Sequence, residues 1–181
     1  MHESRQPRKL GGRASAFLGA LALAGCATAP EENFAHRREQ AERAFHLHED
    51  VSVPVASREI NEANHSSIVR IRVGNRLHEI FTTDDRHGRV LSIRTCAVDS
   101  EEIGASPTCM FRNGYWINDE GADGRVDWST TQMGIAGYQS SQFHRPTDSD
   151  WNQRAWQELY NRQLDVVTEH MNTRGEERPR V

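Results

Sequence analysis

Lysine is almost missing from this chain: among its 22 basic residues Lys9 is the only lysine. Everything beyond it lacks the amine of a Schiff base or of a Walker-type phosphate loop. Cysteine is scarce too, with three in 181 residues. None stands in a Cys-x-x-Cys or Cys-x-His pair, so the common zinc and thiol-redox spacings are absent. Hydrophobic residues make up 36% of the chain, enough for one domain with a modest core and solvated stretches beside it. No apolar run approaches the ~20 residues of a membrane-spanning helix. There is no Gly-x-Ser-x-Gly elbow, and His78-Glu79 has no second histidine four positions after the first. The serine-hydrolase and zincin motifs are therefore missing.

What is present starts with three zones. Met1 to Arg13 is polar and carries Arg5, Arg8, Lys9 and Arg13 against Glu3 alone. Ala14 to Ala24 is apolar and small, with Phe17, Leu18, Leu21 and Leu23, and Gly25-Cys26 follows. A basic segment, a short apolar segment and a small-residue cleavage site are the layout of an export signal. The basic end stays on the cytoplasmic side while the apolar part enters the bilayer.

Leu23-Ala24-Gly25-Cys26 resembles the lipobox of bacterial lipoproteins. The resemblance implies that residues 1–25 are removed, that the Cys26 sulfur receives a diacylglyceryl group, and that its new amine is acylated. Several buried chains at ~0.8 kcal/mol per CH₂ make such an anchor persistent. Ala27, rather than Asp, after the cysteine implies the outer membrane, facing the periplasm, in a Gram-negative cell. The n-region has no paired arginine, which points to the general secretion route. The competing reading is an ordinary signal cut near Ala27 or Ala29.

Without residues 1–25 the chain keeps 18 basic and 25 acidic residues, a formal charge of −7. That speaks against nucleic acid or anionic lipid as a general partner. The expected partners are the membrane, through the lipid, and an envelope protein or polymer. If Cys26 is lipidated, Cys96 and Cys109 remain, and an even pair in an exported chain reads as a disulfide. Its loop of roughly 14 residues gives ~3 kcal/mol by the chain-entropy estimate. Two buried thiols, or a metal site with a nearby histidine, are the alternatives.

Thr28 to Glu32 reads as a tether, and Phe34 to Asp50 as a partly exposed helix with a narrow stripe of Ala35, Ala41, Ala44, Phe45 and Leu47. From Val51 the period changes to two, with Pro54 marking an edge. Val69, Ile71 and Val73 alternate with Arg70 and Arg72, Gly74-Asn75 makes a tight turn, and Arg76 to Thr83 returns as the second strand of a hairpin. Asp84 to Gly88 is a turn and Arg89 to Val98 a third strand. Asp99 to Pro107 reads as a loop, Thr108 to Asn118 as a strand, and Arg125 to Thr131 as one more. Met133 to Arg145, rich in Gly, Ser and Gln, is expected to be irregular. Thr147 to Asn172 is the strongest helix, with N-cap candidates at Thr147 to Asp150 and an apolar stripe of Trp156, Leu159, Tyr160, Leu164, Val167 and Met171. The fold class is α+β: an antiparallel meander of about four to six strands with a short N-terminal and a long C-terminal helix. The expected organisation is a signal over 1–25, the lipidated cysteine, tether and helix over 26–50, one domain over 51–173 and a polar tail over 174–181.

The segment from Asn118 to Asp127 resembles the Asp-rich calcium loops of EF-hands, dockerins and thrombospondin type 3 repeats. Asp119, Asp123 and Asp127 recur with Gly124 at the sharp turn, and the Arg125 carbonyl would complete the oxygen ligands. Gly121 replaces the usual second Asp, and Thr130 stands where an EF-hand has its bidentate Glu. The competing reading is a two-residue hairpin turn at Asp123-Gly124. For catalysis the candidates are His65, His87 and His144 with Asp84 or Asp85, while His78 alternates in a strand and could face either way. For binding they are a strip of Arg70, Arg72, Arg76, Arg89 and Arg94 on the outer sheet face, and an exposed patch around Tyr115, Trp116 and Trp128. An enzyme predicts a concave pocket holding a histidine and a carboxylate. A binding module, the preferred reading, predicts an exposed aromatic or arginine surface.

Overall fold

Alternation at period two carries the middle of the chain, and the structure turns it into one continuous sheet. This is a computed structural model, and it describes residues 31–98, 109, 114–135 and 138–173. The expected signal over 1–25, Cys26, the segment 99–108 and the expected tail 174–181 lie outside the described residues.

Seven strands pair in chain order: β1 Ser57–Asn61, β2 Ser66–Val73, β3 Arg76–Asp85, β4 Gly88–Ala97, β5 Gly114–Glu120, β6 Trp128–Ile135 and β7 Tyr138–His144. Every neighbour is antiparallel. The fold class is α+β as expected, with more strands. The addition is β7: Met133 to Arg145, expected to be irregular, supplies the end of β6 and all of β7. Gly74 takes φ +60 at the β2–β3 turn, a conformation open to glycine at the first central position of a type II′ turn. Residues 51–55 do not form the edge strand. Val53 is buried in the core, Val51 is exposed, and the polar run Ser57–Asn61 pairs with β2 instead.

The helices are α1, Glu31–Phe45, and α2, Gln153–Thr173. The start of α2 falls later than the Thr147 to Asp150 caps predict. Asn152 is the cap, its Oδ1 accepting from the Ala155 N–H at 3.0 Å. Residues 145–151 form their own turn, held by Asp148 N to Arg145 O and Trp151 N to Asp148 O. The helices run side by side in the same direction, linked by Arg37–Asp165, Gln40–Thr168 and Arg43–Asn172.

The register sorts side chains into two faces. One carries Val69 and Ile71 (β2), Ile80 (β3), Leu91 and Ile93 (β4) and Ile117 (β5), and both helices cover it. Tyr160, Leu164 and Val167 of α2 and Ala41, Ala44 and Phe45 of α1 join them in one cluster. Each fully buried Leu or Ile contributes ~1.5–3 kcal/mol. Helix α1 is partly exposed, as expected, and its stripe of Ala41, Ala44 and Phe45 is what enters the core. Among the described residues, no helix packs on the opposite face. Cys109 covers one end of it: bonded to Cys96 with Cα atoms 5.7 Å apart, it is buried in a small cluster with Leu77 and Val98.

Candidate functional site

The face turned away from the helices holds an aromatic cleft of about 520 Å³, lined by Phe81, Thr83, Val90, Ser92, Trp116, Asn118, Trp128, Thr130 and Phe143. Cross-strand pairing builds it: Phe81 stands opposite Ser92, Asn118 opposite Trp128, and Thr130 opposite Phe143. Phe81 and Trp116 meet edge to face at 6.4 Å, and Trp128 and Phe143 tilt together at 5.7 Å. The floor is polar but satisfied, since Ser92 Oγ donates to Asn118 Oδ1 at 2.5 Å. Trp128 Nε1 donates to Glu120 Oε1 at 2.9 Å, which holds the indole at the rim. Phe143 is 55% exposed. Apolar walls with a few fixed polar groups are what a small-molecule site offers. The predicted patch divides: Trp116 and Trp128 line this cleft, whereas Tyr115 points to the helix face and meets Trp156 at 5.2 Å.

The Asp-rich segment folds as a loop, 121–127, between β5 and β6. The pairing ends at Asn118–Trp128, so the tight two-residue turn at Asp123-Gly124 does not form. Asp119 points into the core, where its carboxylate accepts from Tyr160 Oη at 2.7 Å, Gly124 N at 2.8 Å and Asp123 N at 2.9 Å. Burial pushes its pKa up to about 6, against the pull of those three donors. Asp123 Oδ1 accepts from Arg125 N at 3.0 Å, and Asp127 Oδ2 from Glu120 N at 2.6 Å. At least one oxygen of each of the three aspartates thus accepts from an N–H donor. Among the described residues no three His, Cys, Asp or Glu side chains gather as a metal site.

The histidines scatter. His78 is buried on the helix face beside Thr95 Oγ1, at 2.8 Å. Burial, with Arg76 and His170 nearby, lowers its pKa to about 4. His87 sits in the exposed β3–β4 turn. His65 lines a second cleft of about 440 Å³ with His46, His48, Glu49, Glu62 and Asp84. It has the histidine and carboxylate that an enzyme predicts, but of its hydroxyls Ser66 Oγ donates to Asn64 Oδ1 at 2.6 Å and Thr82 Oγ1 pairs with Ser67 Oγ at 2.7 Å, neither with an imidazole. His144 lies between Thr131 Oγ1, 2.8 Å from Nε2, and Asp150 Oδ2, 3.5 Å from Nδ1. This is a hydroxyl–imidazole–carboxylate chain, although neither residue 131 nor residue 144 lines either cleft.

The arginine strip does not form. Arg70 and Arg94 are buried on the aromatic face, where Arg70 Nε meets Glu79 Oε1 at 2.8 Å, and Cys109 N adds a bond to the same oxygen at 3.1 Å. Arg89 belongs to the other face, bonded to Glu42 at 2.9 Å and stacked over Phe45 at 4.0 Å. Sequence reasoning missed Phe81 and Phe143, because only the register brings them beside the two tryptophans. The single available signal was alternation: Phe81 lies two residues from Glu79, on the face opposite Ile80. No family model, no curated protein and no solved structure matches the chain, so its function is argued from its own residues.

Proposed function

We propose that this chain is a cell-envelope lipoprotein, anchored through Cys26, whose domain is a binding module for an apolar ligand. The observation that carries the binding reading is the cleft of Phe81, Trp116, Trp128 and Phe143 on the helix-free face. Leaving such rings partly exposed forgoes burial energy, and large apolar surface outside a core marks a contact site. The anchor is supported by the basic, apolar and Leu-Ala-Gly-Cys sequence of residues 1–26. Export is supported by the Cys96–Cys109 disulfide, a bond that persists in oxidising compartments.

Two measurements test this. Cys26→Ser should abolish incorporation of labelled palmitate and move the protein out of the membrane fraction; unchanged labelling would refute the anchor. Titration with the fluorescent apolar probe N-phenyl-1-naphthylamine should saturate near one per chain. Thr83→Arg, which puts a charge at the rim, should weaken it by about tenfold. Unaltered binding in that variant would refute the cleft.

A second reading, a lipid-anchored hydrolase, draws on the Thr131–His144–Asp150 chain. It requires ester hydrolysis that His144→Gln abolishes while the thermal melt stays unchanged.

A further inference from the structure

We infer that the aromatic cleft takes up one acyl chain of a phospholipid from the membrane that holds the anchor. The inference rests on the lipoprotein reading of Cys26 and deepens it by naming the ligand and its source.

Chain length supplies the first step. Helix α1 begins at Glu31, five residues after Cys26, and five residues span at most ~18 Å. The N-terminal end of α1 therefore stays close to the bilayer surface.

That end fixes what lies next to it. Phe34 stacks under the Arg125 guanidinium at 5.0 Å. A Cβ on Gly124 would stand 2.7 Å from the Arg37 carbonyl carbon. The first turns of α1 thus lean on loop 121–127, which joins β5 to β6 at one end of the strands.

The cleft sits at the same strand end. Its lining comes from the last residues of β3, β5 and β7, including Thr83, Asn118 and Phe143, and from the first of β4 and β6, Val90 and Trp128. Phe143, 55% exposed, and Phe34, 44% exposed, flank this end on the two sides of the sheet. Aromatic residues at this level suit the bilayer interface. Arg145, 6.0 Å from the Phe143 ring centroid, places a cation at the rim for a lipid phosphodiester, while Glu120 there is engaged by the Trp128 indole. The formal charge of −7 beyond residue 25 gives no general attraction to anionic lipid. Recognition then comes from the apolar chain, for which the lining of rings, Val90 and threonine methyl groups is suited.

The test uses the full-length protein, purified from membranes and reconstituted in phosphatidylcholine vesicles. In half of the preparations the acyl chains carry bromine near their methyl ends. Bromine quenches tryptophan only on near contact, so a domain resting on the surface escapes quenching by bromine at that depth. An acyl chain drawn into the cleft brings the bromine to Trp116 and Trp128. Quenching is expected in the wild type and in Trp151→Phe. Most of it should be lost in the double variant Trp116→Phe/Trp128→Phe, and it should fall in Phe143→Ala, whose exposed position leaves the fold intact. Intact mass reports separately whether Cys26 carries lipid. Lipidated protein without quenching, or with quenching unchanged in the cleft variants, overturns the inference and leaves the anchor standing. An unmodified Cys26 overturns the anchor and, with it, the placement of the cleft at the bilayer.

Discussion

Two buried groups on the helix face titrate in the same pH window with opposite consequences, and single substitutions should separate them. Asp119 is fully buried and its pKa is raised from 3.8 to about 6. In the native state it holds its proton where the unfolded chain has lost it. Its contribution is therefore full below pH ~4 and is lost as pH rises through 6. At 1.36 kcal/mol per unit this amounts to about 3 kcal/mol. His78, 4% exposed, has its pKa lowered from 6.5 to about 4, by burial first and by Arg76 and His170 after it. The unfolded chain takes up that proton first, so stability is full above 6.5 and is lost as pH falls towards 4, again by about 3 kcal/mol. In the wild type the two terms offset each other. Asp119→Asn leaves only His78, so stability should rise by about 3 kcal/mol from pH 4 to 7. His78→Leu leaves only Asp119, so stability should fall by about as much. Each variant also loses hydrogen bonds, a pH-independent offset of ~1–3 kcal/mol. The remaining carboxylates are common to all three proteins: burial would raise Glu42 and Asp165, but Arg89 and Arg37 hold both below the ordinary carboxylate range. The assay is urea unfolding of residues 27–181, followed by tryptophan fluorescence at four pH values between 4 and 7. Profiles of the two variants that tilt the same way, or that run parallel to the wild type, would refute the reasoning.

Reduction of Cys96–Cys109, or Cys96→Ala with Cys109→Ala, should cost ~3 kcal/mol by the loop-closure estimate. A melt unmoved by reductant would show that the bridge does not constrain the unfolded chain. Gly121 and Gly124 share φ +91, but a Cβ on Gly121 meets open space whereas one on Gly124 meets the Arg37 backbone at 2.7 Å. Gly121→Ala should therefore cost ~1 kcal/mol of backbone strain, and Gly124→Ala more than ~3 kcal/mol. Equal losses in urea unfolding would mean that α1 does not pack there. Millimolar calcium should leave the melting temperature of residues 27–181 where EDTA leaves it, because Asp119, Asp123 and Asp127 already accept from N–H donors. A rise that Asp123→Ala abolishes would establish the calcium reading instead.

Where alternation was strong, the fold was legible. Val69, Ile71 and Val73 against Arg70 and Arg72, with Gly74-Asn75 behind them, placed the first hairpin within a residue or two of its observed bounds. The even pair of cysteines gave the bridge. Legibility failed where local composition and tertiary pairing disagree. Residues 133–135 and 138–144 lie in a polar, glycine-containing stretch, yet they form the end of β6 and the whole of β7, because β6 needs a partner for its N–H and C=O groups. Ser57–Asn61 has almost no apolar signal and pairs with β2 for the same reason, while the more strand-like Val51, Val53 and Val55 fall in a turn. The Asp-rich segment is ambiguous from sequence because calcium loops and capped loops use the same residues. Aspartates ligate metal when their oxygens converge and brace a turn when they face N–H groups. Tyr160, 41 residues from Asp119, is one of the donors that this carboxylate faces, and no local reading contains it. The arginine strip failed for a related reason. Alternation says which arginines share a face within a strand, but a turn of even or odd length decides how strands combine, and Arg89 fell opposite Arg70.

Loop 121–127 links both halves of the functional reading. On the helix face it is held at three points: Asp119 bonded to Tyr160 and to the loop's own N–H groups, Gln157 of α2 bonded to Val126 N at 3.1 Å and Gly124 O at 2.8 Å, and α1 in contact at Arg37. On the other face its flanking residues, Glu120 and Trp128, bond to each other and set the rim of the cleft. A loop fixed this way costs entropy once, at folding, instead of again when a ligand binds, so the indole is held in place before the ligand arrives. The same fixation joins the first turns of α1 to the cleft mouth. A binding face meant for a soluble partner gains nothing from that rigidity. Under the proposed anchor at Cys26, a face that takes its ligand from the bilayer needs its mouth kept near the lipid surface, and at most ~18 Å of chain leading into a helix packed on the rim loop would set that limit.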